Sequence, residues 1–332
     1  MDEGLHDFWY AVDHASSLRS SPRQVTLLDQ RYILFRDEQG LPRAAFDRCP
    51  HRSASFKNGW VESGCLHCPY HGFSFNADGH CVHVPVDQPG TPIPTLARLK
   101  TLPAYEKSGF IWLFPGVAER ADPGLIPDFP EFGDPGWRAV EGQYEWDANF
   151  SRVVEATLDT SHAPFVHKTF FANRDEAAIH PLEVIETDRS VSCFVNTKPP
   201  KRTGLFKLAI RRKIEHSTSW MTCYLPSLNR LDVHFNMNGY RFIYVASNIP
   251  LSSTRTLTKW IEVRNFVRQP FADRQFIKDT IHTYHEDRSV VETQDKGLTW
   301  DLGQRELLLA SDRLILAYRK KMVALLSVNK EH

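Results

Sequence analysis

The sequence predicts an α+β protein of two domains: an all-β N-terminal domain, then an antiparallel sheet flanked by helices. Three observations carry this. The 332 residues exceed the length at which one hydrophobic core stops growing. The periodicity changes midway, from short alternating runs separated by turns to a helix, longer strands and two helical stretches. Strands and helices come in blocks and not in βαβ alternation, so the sheet is antiparallel. Ten prolines between positions 85 and 135 exclude long helices there and mark a junction near 117–136. The expected domains are 1–118 and 119–332.

In chain order, QVTLLDQRYILFRD (24–37) alternates around a turn, as a hairpin does. AYEKSGFIWLFPG (104–116) reads as strand, turn, strand, with Gly109 near the bend. DANFSRVVEATLDTSHAPFVH (147–167) is helical to about Ala163, with Asp147 or Asn149 as N-cap. EVIETDRSVSCFVN, SWMTCYLPS, RLDVHFNMNGYRFIYVASNIP and TLTKWIEVRNFV are strand-like, rich in β-branched and aromatic residues. FADRQFIKDTIHTYHEDRSVVETQD and GQRELLLASDRLILAYRKKMVALLS return to helical spacing.

Composition narrows the function classes. Lys+Arg and Asp+Glu are both 40, so nothing global recommends nucleic acid or an anionic membrane as partner. No run approaches the ~18 apolar residues of a membrane span. The N-terminus, MDEGLHDFWYAVDHASS, lacks the basic and apolar regions of a signal peptide. The expected compartment is the reducing cytosol, where six Cys serve as ligands or core residues more readily than as disulfides.

Six metal-binding groups crowd into CPHRSASFKNGWVESGCLHCPYHGF: Cys49, His51, Cys65, His67, Cys68 and His71. Cys49-Pro-His51 and Cys68-Pro-Tyr-His71 form two pairs. Such a Cys₂His₂ set suits Zn²⁺ or a [2Fe–2S] cluster with two thiolates on one iron and two imidazoles on the other. Ligand order favours the cluster: a zinc finger pairs Cys with Cys, whereas each loop here supplies one Cys and one His. CPHR with CPYHG closely resembles the two loops of the Rieske family. Cys65 and His67 are then expected on the strand leading into the second loop. His80, Cys81 and His83 are expected as packing residues, with Cys81 and His83 on one side of a strand. Two departures stand out. The additional Cys that respiratory Rieske proteins carry in each loop is absent, and Phe73 follows Gly72 where Trp is usual in the Rieske oxygenases that this chain resembles.

Electron transfer alone needs a domain of about 100 residues. The remainder holds EATLDTSHAPFVH, with Glu155, Asp159, His162 and His167. Asp159 and His162, three apart, are expected on one helix face. His162 and His167 converge only if the helix bulges or ends between them, and Pro164 is expected to disrupt it. Two His and a carboxylate with open positions is the arrangement of non-haem Fe(II) oxygenases.

D-x₂-H-x₄-H resembles the catalytic motif of the Rieske non-haem iron oxygenases, in the style of the single-subunit dicamba, vanillate and methylxanthine demethylases. The resemblance implies a Rieske [2Fe–2S] domain over 1–118, bound by Cys49, His51, Cys68 and His71. It implies a helix-grip-like catalytic domain over 119–332, with mononuclear Fe(II) on His162, His167 and a carboxylate from HEDRSVVETQ. Asp287 is expected as that ligand, with Glu286 pointing elsewhere. Asp159 is expected to join His71 of a neighbouring subunit to His162 in a head-to-tail homotrimer, and Glu155 to support Asp159 one turn earlier or to face solvent.

The implied activity uses O₂ and external electrons to hydroxylate, or oxidatively demethylate, a small aromatic or cyclic substrate. With no G-x-G-x-x-G and no plant-type ferredoxin cysteine run, a separate ferredoxin and/or flavin reductase is expected to pass on electrons from NAD(P)H. The basic segment KPPKRTGLFKLAIRRK (198–213) suits an acidic partner, an anionic substrate or a solvated loop. The competing expectation, a pure electron carrier, leaves His162, His167 and Asp287 idle.

Overall fold

The computed structural model describes residues 3–167, 182–197, 217–235, 238–297, 300, 302–303 and 305–330. The basic segment 198–213 lies outside them. The chain divides into two compact units, Leu5–Asp128 and Phe129–His332.

The first unit is all β among its described residues. Its strands are β1 (Tyr10–His14), β2 (Arg23–Leu27), β3 (Gln30–Arg36), β4 (Pro42–Phe46), β5 (Trp60–Glu62), β6 (Cys65–His67), β7 (Ser74–Phe75), β8 (Cys81–His83), β9 (Thr101–Leu102), β10 (Ala104–Lys107) and β11 (Phe110–Leu113). They form three sheets, ordered β1-β11-β10, β2-β3-β4-β9 and β5-β6-β7-β8. Both expected hairpins are present. Each turns on two residues of positive φ, Leu28 and Asp29 in one and Ser108 and Gly109 in the other, as the right-handed strand twist requires. The helical segments of the proline-rich stretch are three-residue 3-10 turns only. The unit reaches Asp128, ten residues past position 118, because the connection is tied back to it. Trp9 Nε1 donates to the Asp122 carbonyl at 2.9 Å and Lys107 Nζ to the Ile126 carbonyl at 3.0 Å.

The second unit is built on a seven-stranded antiparallel sheet. Its strands are β12 (Arg138–Trp146), β13 (Val184–Glu186), β14 (Ser190–Thr197), β15 (Ser217–Tyr224), β16 (Leu228–Phe235), β17 (Arg241–Ser252) and β18 (Arg255–Arg264), ordered β12-β18-β17-β16-β15-β14-β13. One face carries α1 (Phe150–Leu158), α2 (Ala163–Val166), α3 (Asp273–Val291) and α4 (Arg313–Lys330). Polar contacts fix three of them to the sheet or its connections. Asn229 Nδ2 donates to the Val154 carbonyl on α1 at 3.0 Å. Thr280 on α3 donates to Glu262 at 2.7 Å, and Tyr318 on α4 donates to the Pro226 carbonyl at 3.0 Å. Tyr144, Trp146, Ala246, Trp260, Tyr284 and Val153 form the core between the layers. Trp260 lies so close over Gly142 that a Cβ there meets the indole at 2.4 Å.

The first helix differs from expectation. Asn149 is the N-cap, its Oδ1 accepting from Ser151 N at 2.9 Å, but the helix stops at Leu158 and not near Ala163. The cause is Asp159. Its backbone is extended (φ −75, ψ 109), and its carboxylate accepts from Ser161 N at 2.7 Å and Ser161 Oγ at 2.5 Å. This local turn outcompetes helix propagation. Pro164 then sits in the first turn of α2, where its missing N–H costs nothing. It starts a helix and does not disrupt one.

Candidate metal centres

In the first unit the two loops repeat one backbone design. Cys49 N donates to the Ala54 carbonyl at 2.8 Å, and Cys68 N to the Phe73 carbonyl at 2.9 Å. Ser53 N returns to the Cys49 carbonyl at 2.9 Å, and Gly72 N to the Cys68 carbonyl at 3.0 Å. Ser53 and Gly72 occupy the same loop position, and both have positive φ, +59° and +72°. The matched loops bring Cys49 and Cys68 together in the core with Ile33, Phe35, Phe56, Leu66 and Phe75, each thiol 2% exposed. His51 and His71 lie side by side at the surface edge, ring centroids 4.8 Å apart. Phe73 stacks on His51 at 4.7 Å and 8°, and Tyr70 leans on His71 at 3.8 Å.

This donor set fits a mixed-ligand cluster: two sulfurs inside, two imidazoles toward solvent. Burial, only partly offset by the His51 backbone N–H, pushes the Cys49 thiol up to about 12. A thiolate there needs cationic compensation, which ferric iron supplies.

Cys65 and His67 lie on β6, apart from this arrangement. His67 stacks on Trp60 at 4.8 Å, and its Nδ1 is 2.7 Å from Ser74 Oγ. Cys81 packs against the cluster core, but His80 and His83 are exposed, so the expectation that His80 and His83 are packing residues does not hold. The short strand β8 lies at the edge of its sheet and leaves them uncovered.

In the second unit His162, His167 and Asp287 converge, with one ligand atom from each lying within 4.8 Å of the others. The break after α1 makes this possible: His162 ends the turn begun by Asp159, and His167 follows the single turn of α2. Asp287 comes from α3. His162 Nε2 is 3.1 Å from His167 Nε2, and Asp287 Oδ1 is 3.5 Å and 3.2 Å from the two nitrogens. An ion ~2.1 Å from three donors sets them ~3.0 Å apart at right angles and ~3.4 Å apart at tetrahedral angles.

The outer nitrogens fix the chemistry of the inner ones. His162 Nδ1 donates to the Asp159 backbone carbonyl at 2.7 Å, and His167 Nδ1 to Glu286 Oε2 at 3.1 Å. Both Nε2 atoms are therefore lone-pair acceptors. Two lone pairs and a carboxylate oxygen aimed at one point repel each other unless a cation sits among them. Burial raises the Asp287 carboxyl, but His162 and His167 outweigh it and hold it below the usual carboxylate range.

Glu286 points away from the ion position and backs His167 at its outer nitrogen. Two other neighbours differ from expectation. Asp159 meets His162 through its carbonyl, while its carboxylate Oδ2 stays 3.8 Å from His162 Nδ1. Glu155 neither supports Asp159 nor faces solvent. It is 6% exposed and accepts two 2.7 Å bonds from Arg319 on α4, in a buried network with Arg152 and Glu306.

Comparison with known proteins follows these two centres. Residues 8–105 match the Rieske [2Fe–2S] domain, and residues 146–327 match the vanillate O-demethylase oxygenase C-terminal domain. The chain is 37% identical to the oxygenase component of dicamba O-demethylase from Stenotrophomonas maltophilia, over 54% of this chain and 51% of that protein. It is 29% identical to methylxanthine N1-demethylase NdmA of Pseudomonas putida over 99% of this chain and 91% of that one. The crystal structure of dicamba monooxygenase bound to 3,6-dichlorosalicylic acid superposes with a TM-score of 0.85 at 26% identity, covering 99% of both chains.

Proposed function

We infer, for a chain that belongs to the Rieske non-haem iron oxygenases with a vanillate O-demethylase type C-terminal domain, that it hydroxylates or oxidatively demethylates a small aromatic or cyclic molecule. The enzyme is an oxygenase, and its cofactors are a Rieske [2Fe–2S] cluster and a mononuclear iron. The observation that carries the reading is the convergence of His162 Nε2, His167 Nε2 and Asp287 Oδ1, which an electron carrier has no use for. When bound, the cluster supplies single electrons and the ferrous ion supplies oxygen chemistry at an open coordination position.

In our proposal Cys49 and Cys68 hold one cluster iron, and His51 and His71 hold the other. His162, His167 and Asp287 hold the mononuclear ion. Glu286 and the Asp159 carbonyl keep the Nε2 lone pairs of His167 and His162 directed at it. Ser161 occupies Asp159 Oδ1 and leaves Oδ2 on offer. That oxygen suits the N–H of the partner subunit's His71, which links the two centres in a head-to-tail homotrimer. Electrons come from NAD(P)H through a separate ferredoxin and/or flavin reductase. The demethylase relatives support a methyl ether or N-methyl substrate, whose hydroxylated carbon collapses with loss of formaldehyde.

The test is turnover with a surrogate reductase across methyl ethers and N-methyl heterocycles, scoring formaldehyde and hydroxylated product. Asp159→Asn is expected to keep both metal centres and abolish coupled turnover. Unchanged turnover in this variant removes the bridge.

A further inference from the structure

Aromatic side chains link the metal triad of the second unit to the edge of its sheet. Tyr284 lies on α3 three residues before Asp287, so their Cβ atoms are about 5–6 Å apart. Its hydroxyl is bonded to that of Tyr244 on β17, on which the Asp287 charge acts. Its ring stacks on Tyr144, with centroids 5.0 Å apart and 23° between the planes. Trp146 closes the group, 4.9 Å from Tyr144 and 5.4 Å from Tyr284. Tyr144 and Trp146 belong to β12, an edge strand of the sheet among the described residues. Every step in the group is a ring-to-ring contact within the range of interacting aromatic pairs.

Packing alone does not ask for phenols here. Tyr144 and Tyr284 are buried, and phenylalanine fills such a core without a hydroxyl to satisfy. The hydroxyl adds an oxidisable ring, provided its proton can leave. Tyr144 has that provision. Its Oη is 2.9 Å from Nδ1 of His285, an exposed residue on α3. Arg288 is a hydrogen-bond donor to the same oxygen, so the phenol's own hydrogen is directed at His285. Glu292 balances the Arg288 charge at 2.9 Å. A guanidinium at that oxygen opposes a positive ring, so Tyr144 gives up its electron and its proton together. Trp146 has no such base, because its Nε1 donates to the buried hydroxyl of Thr258 at 2.9 Å. Tyr144 is therefore the outer end of the group.

Resting on the mononuclear iron of the reading above, we propose that Tyr284 and Tyr144, with His285 as proton acceptor, form an escape route for oxidising equivalents. It is a protective, peroxidase-type function, separate from substrate oxidation. The occasion is oxygen reduced to the level of hydrogen peroxide while no substrate is bound. Peroxide becomes two waters by taking two electrons and two solvent protons. The ferrous ion gives one electron. The other leaves Tyr144 through the stacked Tyr284 ring, and the Tyr144 O–H bond breaks, its proton passing to His285 Nδ1. A neutral phenoxyl remains at the sheet edge. One electron from the reductase and one solvent proton restore the phenol. The histidines of the triad, His162 and His167, are thereby spared oxidation.

The test is EPR on the iron-loaded holoenzyme, with its cluster left oxidised and EPR-silent. Samples are frozen after hydrogen peroxide is added without substrate or reductant. Mass spectrometry scores oxidation of His162 and His167 in the same samples. The native protein gives a tyrosyl radical, narrowed by ring-deuterated tyrosine, and its histidines stay intact. Tyr144→Phe loses that signal and its histidines are oxidised. His285→Gln, a second variant should the first fold poorly, keeps a hydrogen-bond partner but no base and lowers the radical yield. Tyr105→Phe, at an exposed tyrosine of the first unit, changes neither readout. A native protein with no radical, or with one that deuterated tyrosine leaves unchanged, overturns the proposal. So does an undiminished radical in Tyr144→Phe or His285→Gln, or its loss in Tyr105→Phe. The oxygenase reading is judged separately, by iron content before peroxide and by formaldehyde released in turnover, and both can hold while the radical is absent.

Discussion

Replacing Glu286 isolates the contribution of a residue that touches no metal. Its Oε2 accepts from His167 Nδ1 at 3.1 Å, and His167 is 4% exposed, so water cannot readily take the carboxylate's place. Glu286→Ala frees the imidazole to rotate and to carry its proton on Nε2, the atom that must stay bare. Loss of such a partner costs about 10–100-fold in metal affinity, or about 1.4–2.8 kcal/mol. The buried site places Ala at the upper end. Glu286→Gln keeps an acceptor oxygen but loses the charge, and belongs at the lower end. The assay is Fe(II) competition against a chromogenic chelator, with the visible absorbance of the cluster as internal reference. Native iron affinity in Glu286→Ala refutes the reasoning, as does an equal loss of cluster absorbance, which signals general unfolding.

Three further outcomes follow from named contacts. Burial pushes the Glu262 carboxyl from 4.5 to about 7. The folded chain therefore binds a proton that the unfolded chain has lost between those values. The stability associated with the neutral acid is complete below pH ~4.5 and is lost as pH rises through about 7, a change of about 3 kcal/mol. Glu262→Gln should remove this slope and exceed the native stability above pH 7 in urea unfolding; parallel pH profiles contradict it. Gly72→Ala places a Cβ 2.9 Å from Pro85 Cγ at φ +72, at a cost of about 1–2 kcal/mol. It should accelerate cluster loss to a chelator, whereas Ser53→Gly at the matching position should not. Arg319→Met leaves Glu155 and Glu306 with Arg152 as their remaining partner in the network, and should destabilise by about 3–5 kcal/mol in thermal or denaturant unfolding. A change within error makes the network dispensable.

Local patterns gave much of the fold in advance. Both hairpins of the first unit follow from alternation and turn residues, and the strand-like runs of the second half all appear in one sheet. Cys65 and His67 fall on the strand expected for them. What remained hidden depended on competition or on tertiary distance. The end of α1 falls earlier than periodicity predicts because the Asp159 carboxylate prefers Ser161 to a further helical turn, a preference that periodicity does not reveal. Glu286 and Asp287 are adjacent on one helix, and spacing alone does not say which faces the ion and which faces His167. Glu155 is paired with Arg319, far along the chain, and nothing near Glu155 announces that partner.

The most direct test of the two-centre account is iron and acid-labile sulfide per chain, measured on anaerobically reconstituted native protein and on Asp287→Ala. The account expects about three irons and two sulfides in the native chain. It expects about two irons, with the cluster spectrum unchanged, in the variant. Two irons in both proteins, or a single colourless tetrahedral ion in either, contradicts it.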